Sequence, residues 1–108
     1  MATSYKVLGQ SAPAATTPAN LYTAPASTSA VCSTLAVCNR GATATFRVSV
    51  RPAGTSQANQ HYIVYDSTVN ANDSIFITVG ITLAPSDVVT VYASTGDVSF
   101  SLFGSEIS

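Results

Sequence analysis

The chain has 108 residues, of which 46% are hydrophobic and only 8% are charged, with a formal net charge of −1. This length suits one domain with its own core, and the hydrophobic content excludes a chain that is disordered throughout. With only four Lys and Arg residues, the chain has too few cations for tight nucleic-acid binding. It has no apolar segment typical of a signal peptide and no apolar run of the ~18 residues that a transmembrane helix needs, so we expect cytoplasmic synthesis and no membrane partner.

Residues 1–20 predict an extended N-terminal arm that precedes a domain of residues 21–108. Tyr5–Leu8 suits a short strand, but the following SAPAATTPAN has too little apolar surface to fold alone. A neighbouring protein is the favoured support for this arm; in the alternative, Tyr5–Leu8 adds an edge strand to its own domain. The arm's candidate partner-binding residues are Tyr5, Val7 and Leu8.

Alternating apolar and polar residues then predict a series of short strands. The first four of the domain are Leu21–Thr23, Ala30–Asn39, Ala44–Arg51 and His61–Asp66. In the second of these, we expect Val31, Leu35 and Val37 to share one face. Gly41 is expected at a positive φ in the reversal that follows, and residues 52–60 form the longest polar loop.

The stretch from Ile75 to Tyr92 has the clearest pattern in the chain. Apolar residues fall on every second position up to Leu83, and a second alternating run begins after the turn Ala84–Asp87. Two alternating runs joined by a Pro/Ser/Asp turn predict a β-hairpin with one buried face. We expect Ile77 and Val91 to lie in that same buried face.

The last strand, Val98–Phe103, completes about seven or eight strands, and no segment has a helical period. This pattern predicts an all-β protein, a single antiparallel β-sandwich that is Ig-like or a jelly roll, with an extended N-terminal arm. A closed barrel is the alternative. The lack of Trp and of a Cys…Trp…Cys pattern argues against a true immunoglobulin domain.

Two cysteines, Cys32 and Cys38, lie six positions apart in one predicted strand. Their Cα atoms would be roughly 20 Å apart in an extended strand, whereas a disulfide needs about 4.4–6.8 Å. We therefore expect two free thiols that act as small apolar residues.

The sequence offers little for catalysis. His61 is the only histidine, Asp66 is expected on the opposite side of its strand, and no GxSxG motif is present. The acidic residues fall mostly in turns and do not form a calcium-loop pattern. We expect no catalytic, cofactor-binding or metal-binding residues. Arg47 and Arg51 form a basic stripe on one strand, either as a partner contact or as a solvated face.

Nearly the whole chain, from Tyr5 to Ile107, resembles a family of small virion proteins of tailed bacteriophages from aquatic bacteria, cyanophages among them. The resemblance rests on the order of LYTAPASTSAV, VCNRGATATFRVSVRPAG, QHYIVYDSTVNANDSIFITVGITLAPSDVVTVYAS and FSLFGSEIS. It implies a non-enzymatic β-sandwich subunit, made in the host cytoplasm, that joins the virion through other phage virion proteins and through copies of itself.

The resemblance does not place the subunit within the particle. A tail-side component of a fibre, baseplate or collar is the first expectation, and a capsid decoration or cement protein is the second. A host-glycan-binding module is a third hypothesis, for which Tyr62, Tyr65 and Tyr92 would provide aromatic platforms.

Overall fold

Eight antiparallel strands build the protein. The computed structural model describes residues 2–108. The strands are β1 (Thr3–Ser11), β2 (Ala19–Thr23), β3 (Ser29–Asn39), β4 (Ala44–Arg51), β5 (Tyr62–Val69), β6 (Ser74–Leu83), β7 (Val88–Ala93) and β8 (Val98–Ile107). Two 3-10 turns, Pro52–Gly54 and Asn59–His61, lie in the loop between β4 and β5.

The strands form two four-stranded sheets that pack face to face. Sheet A has the order β1-β8-β3-β6, and sheet B has the order β2-β7-β4-β5. Strands therefore pair first with last, β1 with β8, β2 with β7, β3 with β6 and β4 with β5, as in one long antiparallel ribbon. Rolling this ribbon up adds the pairs β3–β8 and β4–β7. The predicted antiparallel β-sandwich is confirmed, and its topology is that of a jelly roll.

The predicted hairpin between β6 and β7 is wrong, because the two strands belong to different sheets. The turn between them crosses from sheet A to sheet B and is fixed to the β2–β3 connection, where Ser86 N donates to Ala24 O at 2.9 Å. The alternation within β6 is correct, since Phe76 is 71% exposed while Ile77 is half-buried and Leu83 is buried. Ile77 and Val91 thus face the core from opposite sheets.

The extended arm expected for residues 1–20 is not confirmed. Thr3–Ser11 is an edge strand of sheet A, paired with β8 from Thr3↔Ile107 to Ser11↔Phe100. The arrangement matches the alternative prediction, in which this segment adds a strand to its own domain. Residues 12–18 connect it to β2, and the backbone N–H of Thr16 donates to Ala93 O at 2.8 Å. Residue 1 lies outside the described part of the chain.

Each of the four edge strands contains at least one extra residue relative to its partner. Strands β1 and β2 gain one at Leu8 and Leu21, β6 gains one opposite Ser33, and β5 gains two. In β6, Gly80 has a φ of 58°, which few other residues adopt. Such bulges twist a sheet edge and hinder strand addition by another chain.

A further bulge at Ser33 changes which residues of the central strand β3 face the core. Ala30 and Cys32 point inward before the bulge, and Leu35 and Val37 point inward after it. The prediction that Val31 shares a face with Leu35 is therefore wrong, because the bulge shifts the alternation by one residue. Val31 lies on the outer face, with 36% exposure.

The core lies between the two sheets and contains side chains from nearly every strand. Phe46 of β4 meets Phe100 of β8 edge to face, with ring centroids 6.1 Å apart. The other large, fully buried side chains are Leu35, Leu83, Leu102, Val37, Val48, Val69, Val89, Val91, Val98 and Asn39. In the last strand, the alternating residues Val98, Phe100 and Leu102 all point into this core.

Asn39 is the only polar member of that buried group, and it holds two turns together. Its amide group donates to the carbonyl oxygens of Ala42, Val69 and Asn70 at 2.7–3.3 Å, and its side-chain oxygen accepts from Gly41 N at 3.0 Å. Gly41 itself does not have the expected positive φ, which occurs at Gly54 and Gly80 among the glycines. A Cβ at position 41 would instead collide with Asp97 Oδ2, 2.2 Å away.

Replacing Asn39 by Ala should destabilise the protein strongly. The substitution leaves buried backbone groups of both turns without a partner, which costs on the order of 2–4 kcal/mol in free energy of unfolding. Urea unfolding followed by tyrosine fluorescence measures the effect. Asn70→Ala is the matched control, since Asn70 is exposed, and its effect should stay within about 0.5 kcal/mol. Equal stability of the two variants would contradict this role for Asn39.

The two free thiols should differ sharply in reactivity. Cys32 is fully buried, and burial raises the pKa of its thiol to about 11, whereas Cys38 is half-buried. Since the thiolate is the reactive form, a disulfide reagent at pH 8 should modify Cys38 in the native protein and Cys32 only after unfolding. Rapid modification of the Cys38→Ser variant in its native state would contradict the buried position of Cys32.

Candidate functional site

The outer face of sheet B contains an arginine held between two tyrosine rings. Arg47 of β4 is paired across the sheet with Tyr92 of β7. The centre of its guanidinium lies 4.4 Å from the centroid of the Tyr92 ring and 4.3 Å from that of Tyr65. Both distances are within the range of attractive cation–π contacts. Its Nε donates to Asp66 Oδ1 at 2.6 Å, and its Nη2 donates to Asp66 Oδ2 at 3.3 Å.

The bulges of β5 make this cluster. Tyr62 and Tyr65 are three positions apart, so a regular strand would place them on opposite faces. The extra residues instead bring their rings edge to face, with centroids 4.9 Å apart. Asp66 has a φ of 52°, a left-handed conformation that Asp tolerates better than most residues, and its carboxylate lies beside Arg47.

Arg47 and Asp66 form an ion pair, and each shifts the pKa of the other. The hydrogen bond from Arg47 lowers the pKa of the Asp66 carboxyl, and the same bond raises the pKa of Arg47. Asp66 is thus ionised at neutral pH and neutralises one of the two arginines on this face.

Arg51 forms a second hydrogen-bonded group at the other end of β4. Its Nε donates to Thr90 Oγ1 at 3.1 Å, and its Nη2 donates to Asn20 Oδ1 at 3.0 Å. Its Nη1 donates to the backbone carbonyls of Gly54 and Thr55. All of these acceptors are neutral, and Arg51 forms no ion pair within residues 2–108.

The two arginine groups share one concave surface, which we call the sheet B cleft. It has a volume of about 290 Å³. Its lining residues come from β2, β4, β5, β7 and the loops beside them: Thr16, Pro18, Asn20, Arg47, Ser49, Arg51, Gln57, Tyr62, Thr90, Val91 and Tyr92. Ser49 of β4 lies at the floor of the cleft and connects it to the β4–β5 loop, because its hydroxyl donates to Gln57 Oε1 at 2.6 Å.

The outer face of sheet A is quite different, because its side chains are mostly small, hydroxylated or apolar. Three of its rows are Tyr5–Ser105–Val31–Thr82, Val7–Phe103–Thr34–Thr78 and Gln10–Ser101–Ala36–Phe76. Tyr5 is 85% exposed, Val7 48% and Phe76 71%. The strands of this sheet contain two charged residues, Lys6 and Glu106.

These two residues neutralise each other. Lys6 Nζ lies 2.7 Å from Glu106 Oε1, and the Tyr22 hydroxyl of sheet B donates to Glu106 Oε2 at 2.6 Å. The hydrogen bonds from Lys6 and Tyr22 lower the pKa of Glu106, and burial together with Glu106 raises that of Tyr22. The strands of sheet A therefore present no unpaired charge.

The predicted partner-binding residues fall into three places. Tyr5 and Val7 lie on the outer face of sheet A, while Arg47 and Arg51 line the sheet B cleft. Leu8 lies in the β1 bulge and packs against the core. The cleft also contains Asn20, Gln57 and Thr90, which the sequence analysis did not single out. They come from β2, the β4–β5 loop and β7, so the tertiary fold brings them together and no single motif marks the group.

The side chain of His61 forms a hydrogen bond with the backbone of its own turn. Its Nδ1 accepts a hydrogen bond from Ala58 N at 3.0 Å within the second 3-10 turn. Among residues 2–108, no three His, Cys, Asp or Glu side chains are grouped so that they could hold a metal ion. The same residues include no helix long and apolar enough to cross a membrane.

The chain matches no protein-family model, no curated protein and no solved structure. Its fold and surfaces therefore provide the evidence about function.

The contact between Arg47 and Asp66 predicts a pH dependence with a definite sign. Arg47 lowers the pKa of Asp66 below its ordinary 3.8, so the stabilisation from this pair is complete above that pH and is lost as the pH falls through the lowered pKa. An NMR titration of the Asp66 carboxyl carbon should give a pKa below 3.8 in the native protein. The Arg47→Gln variant should return it towards 3.8, and an unchanged value would contradict the pairing.

Proposed function

We propose that the chain is a non-enzymatic structural subunit of a bacteriophage particle, on its tail side in a fibre, baseplate or collar. It assembles through contacts with other virion proteins and with copies of itself. The observation that carries the proposal is the outer face of sheet A, which has no unpaired charge from its strands and exposes Tyr5, Val7 and Phe76.

This face has the composition of a surface that becomes buried. Protein interfaces are depleted of charge at their centres and enriched in aromatic side chains. Tyr5 and Phe76 stand on the two edge strands of the sheet, with Val31 and Phe103 between them. A neighbouring subunit on this face buries no unpaired charge from these strands, which avoids the largest desolvation cost of a polar interface.

The bulged edge strands favour assembly through the outer faces of the sheets rather than through strand addition. All four edge strands are bulged, which hinders open-ended association by strand addition. Subunits of this kind can be present at high local concentration without forming extended sheets, as a repeated component of a particle requires.

The jelly-roll topology agrees with the proposal. Viral capsid domains use this architecture, and so do lectins and cupins. Since one fold serves many functions, the topology adds support only together with the face of sheet A.

Immunogold electron microscopy tests the placement. Antibodies raised against the purified chain should label the tail side of particles whose genome encodes it. Label on the head would contradict the tail-side placement and support a decoration or cement protein. Purified particles that lack the chain in mass spectrometry would overturn the proposal that it is a virion subunit.

The role of sheet A can be tested by adding one negative charge to its outer face. Because Phe76 is exposed, Phe76→Asp should fold with a change in unfolding free energy of about 1 kcal/mol or less. It should fail to enter particles when it replaces the native chain during phage growth. Thr68→Asp adds the same charge to an exposed position on β5 and should be incorporated normally. Normal incorporation of folded Phe76→Asp would show that this face is not an assembly surface.

A further inference from the structure

We infer that the sheet B cleft binds a saccharide that carries a carboxylate group. The cleft is separate from the outer face of sheet A, so this inference goes beyond the proposed role in assembly. Its volume of about 290 Å³ lies near the lower end of small-molecule pockets, which are about 300–1,000 Å³. That size suits a ring or two of a sugar chain whose remainder extends into solvent.

Two aromatic rings give the cleft an apolar wall. Tyr62 and Tyr92 both line it and are both half-buried. Tyr92 is held in place by Arg47, and Tyr62 is held by its edge-to-face contact with Tyr65. Fixed aromatic rings beside hydroxyl groups suit a ligand with C–H faces and hydroxyl edges, because the ring packs on the apolar part and the phenol remains able to hydrogen bond.

The polar groups of the cleft are prearranged, and several keep free hydrogen-bonding capacity. Asn20 Oδ1 accepts from both Arg51 and Thr90, which fixes the side chain, and its two amide hydrogens have no protein acceptor within residues 2–108. Arg47 uses Nε and Nη2 for Asp66, so its Nη1 has no protein acceptor within residues 2–108. Amide and guanidinium donors fixed in this way can bind hydroxyl and carboxylate oxygens at little cost in side-chain entropy.

The charge of the cleft selects an acidic ligand. Arg47 is neutralised by Asp66, but Arg51 donates only to neutral acceptors. No Asp or Glu is among the residues that line the cleft. The cleft thus has one uncompensated positive charge, which matches a single carboxylate better than a doubly charged phosphate. The neutral hydroxyl-rich walls favour a sugar acid over an acidic peptide.

Titration with paired saccharides tests the inference directly. The probes are methyl galacturonoside and N-acetylneuraminyl-lactose, which carry one carboxylate each, beside their carboxyl methyl esters, which remove the charge and keep the rings. In amide NMR spectra, at least one acid should shift the signals of Asn20, Thr90 and Tyr92 in a saturable way. Its ester should bind about tenfold more weakly or worse, because a charge-assisted hydrogen bond is lost.

A variant with minimal structural change tests the charge argument. Asn20→Asp keeps the oxygen that accepts from Arg51 and Thr90 but places a carboxylate beside Arg51. It also removes the amide hydrogens of Asn20, so affinity for both forms should fall, but affinity for the acid should fall about tenfold more than affinity for the ester. Asn72→Asp is the control, because it makes the same chemical change at an exposed position in the β5–β6 turn and should bind as the native chain does.

Three results would overturn the inference. In the first, neither acid shifts the cleft signals; in the second, acid and ester bind equally well; in the third, a short Asp/Glu peptide binds while both saccharides fail, which would make the cleft a protein contact. These outcomes leave the assembly proposal standing, since that proposal depends on Phe76 and sheet A. Failure of the Phe76→Asp experiment likewise leaves the saccharide titration intact.

Discussion

The architecture depends on the pairing of strands from opposite ends of the sequence. A β-bulge lies in the edge strand at each of the four sheet edges. The first strand pairs with the last, and the innermost pair, β4 and β5, is joined by the loop that contains both 3-10 turns. Bulges at the edges let the two sheets twist around a common core and re-aim the side chains that follow them. At Gly9, beside the β1 bulge, a Cβ would lie 2.1 Å from Leu21 O, so the close approach of the two sheets there requires glycine.

The same bulges determine which side chains lie on the outer face of each sheet. In β5 they bring Tyr62, Tyr65 and Asp66 to the face of Arg47. In sheet A, Lys6 and Glu106 form an ion pair, and Glu106 also accepts a hydrogen bond from Tyr22 of sheet B. One face of the sandwich is thereby left hydroxylated and apolar, while the other acquires a polar cleft with one uncompensated positive charge. We associate the first face with assembly and the second with ligand binding.

The sequence predicted those features that depend on simple alternation. The inward residues of β4, β6 and β8 and the antiparallel sandwich itself follow from a period of two. The connection between β6 and β7 could not be read in this way, because a Pro/Ser/Asp turn can close a hairpin or lead to the opposite sheet with the same residues. The sequence likewise offered two supports for residues 1–20, and pairing with β8 decided between them.

The candidate site was less accessible to prediction. Arg47, Arg51 and the three tyrosines were identified individually, but the position of Tyr62 and Tyr65 beside Arg47 depends on extra residues within β5, which no periodicity reveals. Asp66 illustrates the limit, since alternation described its face relative to His61 and gave no indication of its ion pair with Arg47. Asn20 belongs to the cleft because β2 lies beside β7 in sheet B, and Gln57 belongs to it because the β4–β5 loop folds back over Ser49.

Hydroxyl-radical footprinting of the chain, free and in intact particles, would test most directly whether the two faces have different roles. Tyr5 and Phe76 report on sheet A, and Tyr65, which is 57% exposed, reports on sheet B. Our account predicts that assembly protects Tyr5 and Phe76 from oxidation while Tyr65 remains as reactive as in the free chain. Protection of Tyr65 together with unchanged oxidation of Tyr5 and Phe76 would contradict it.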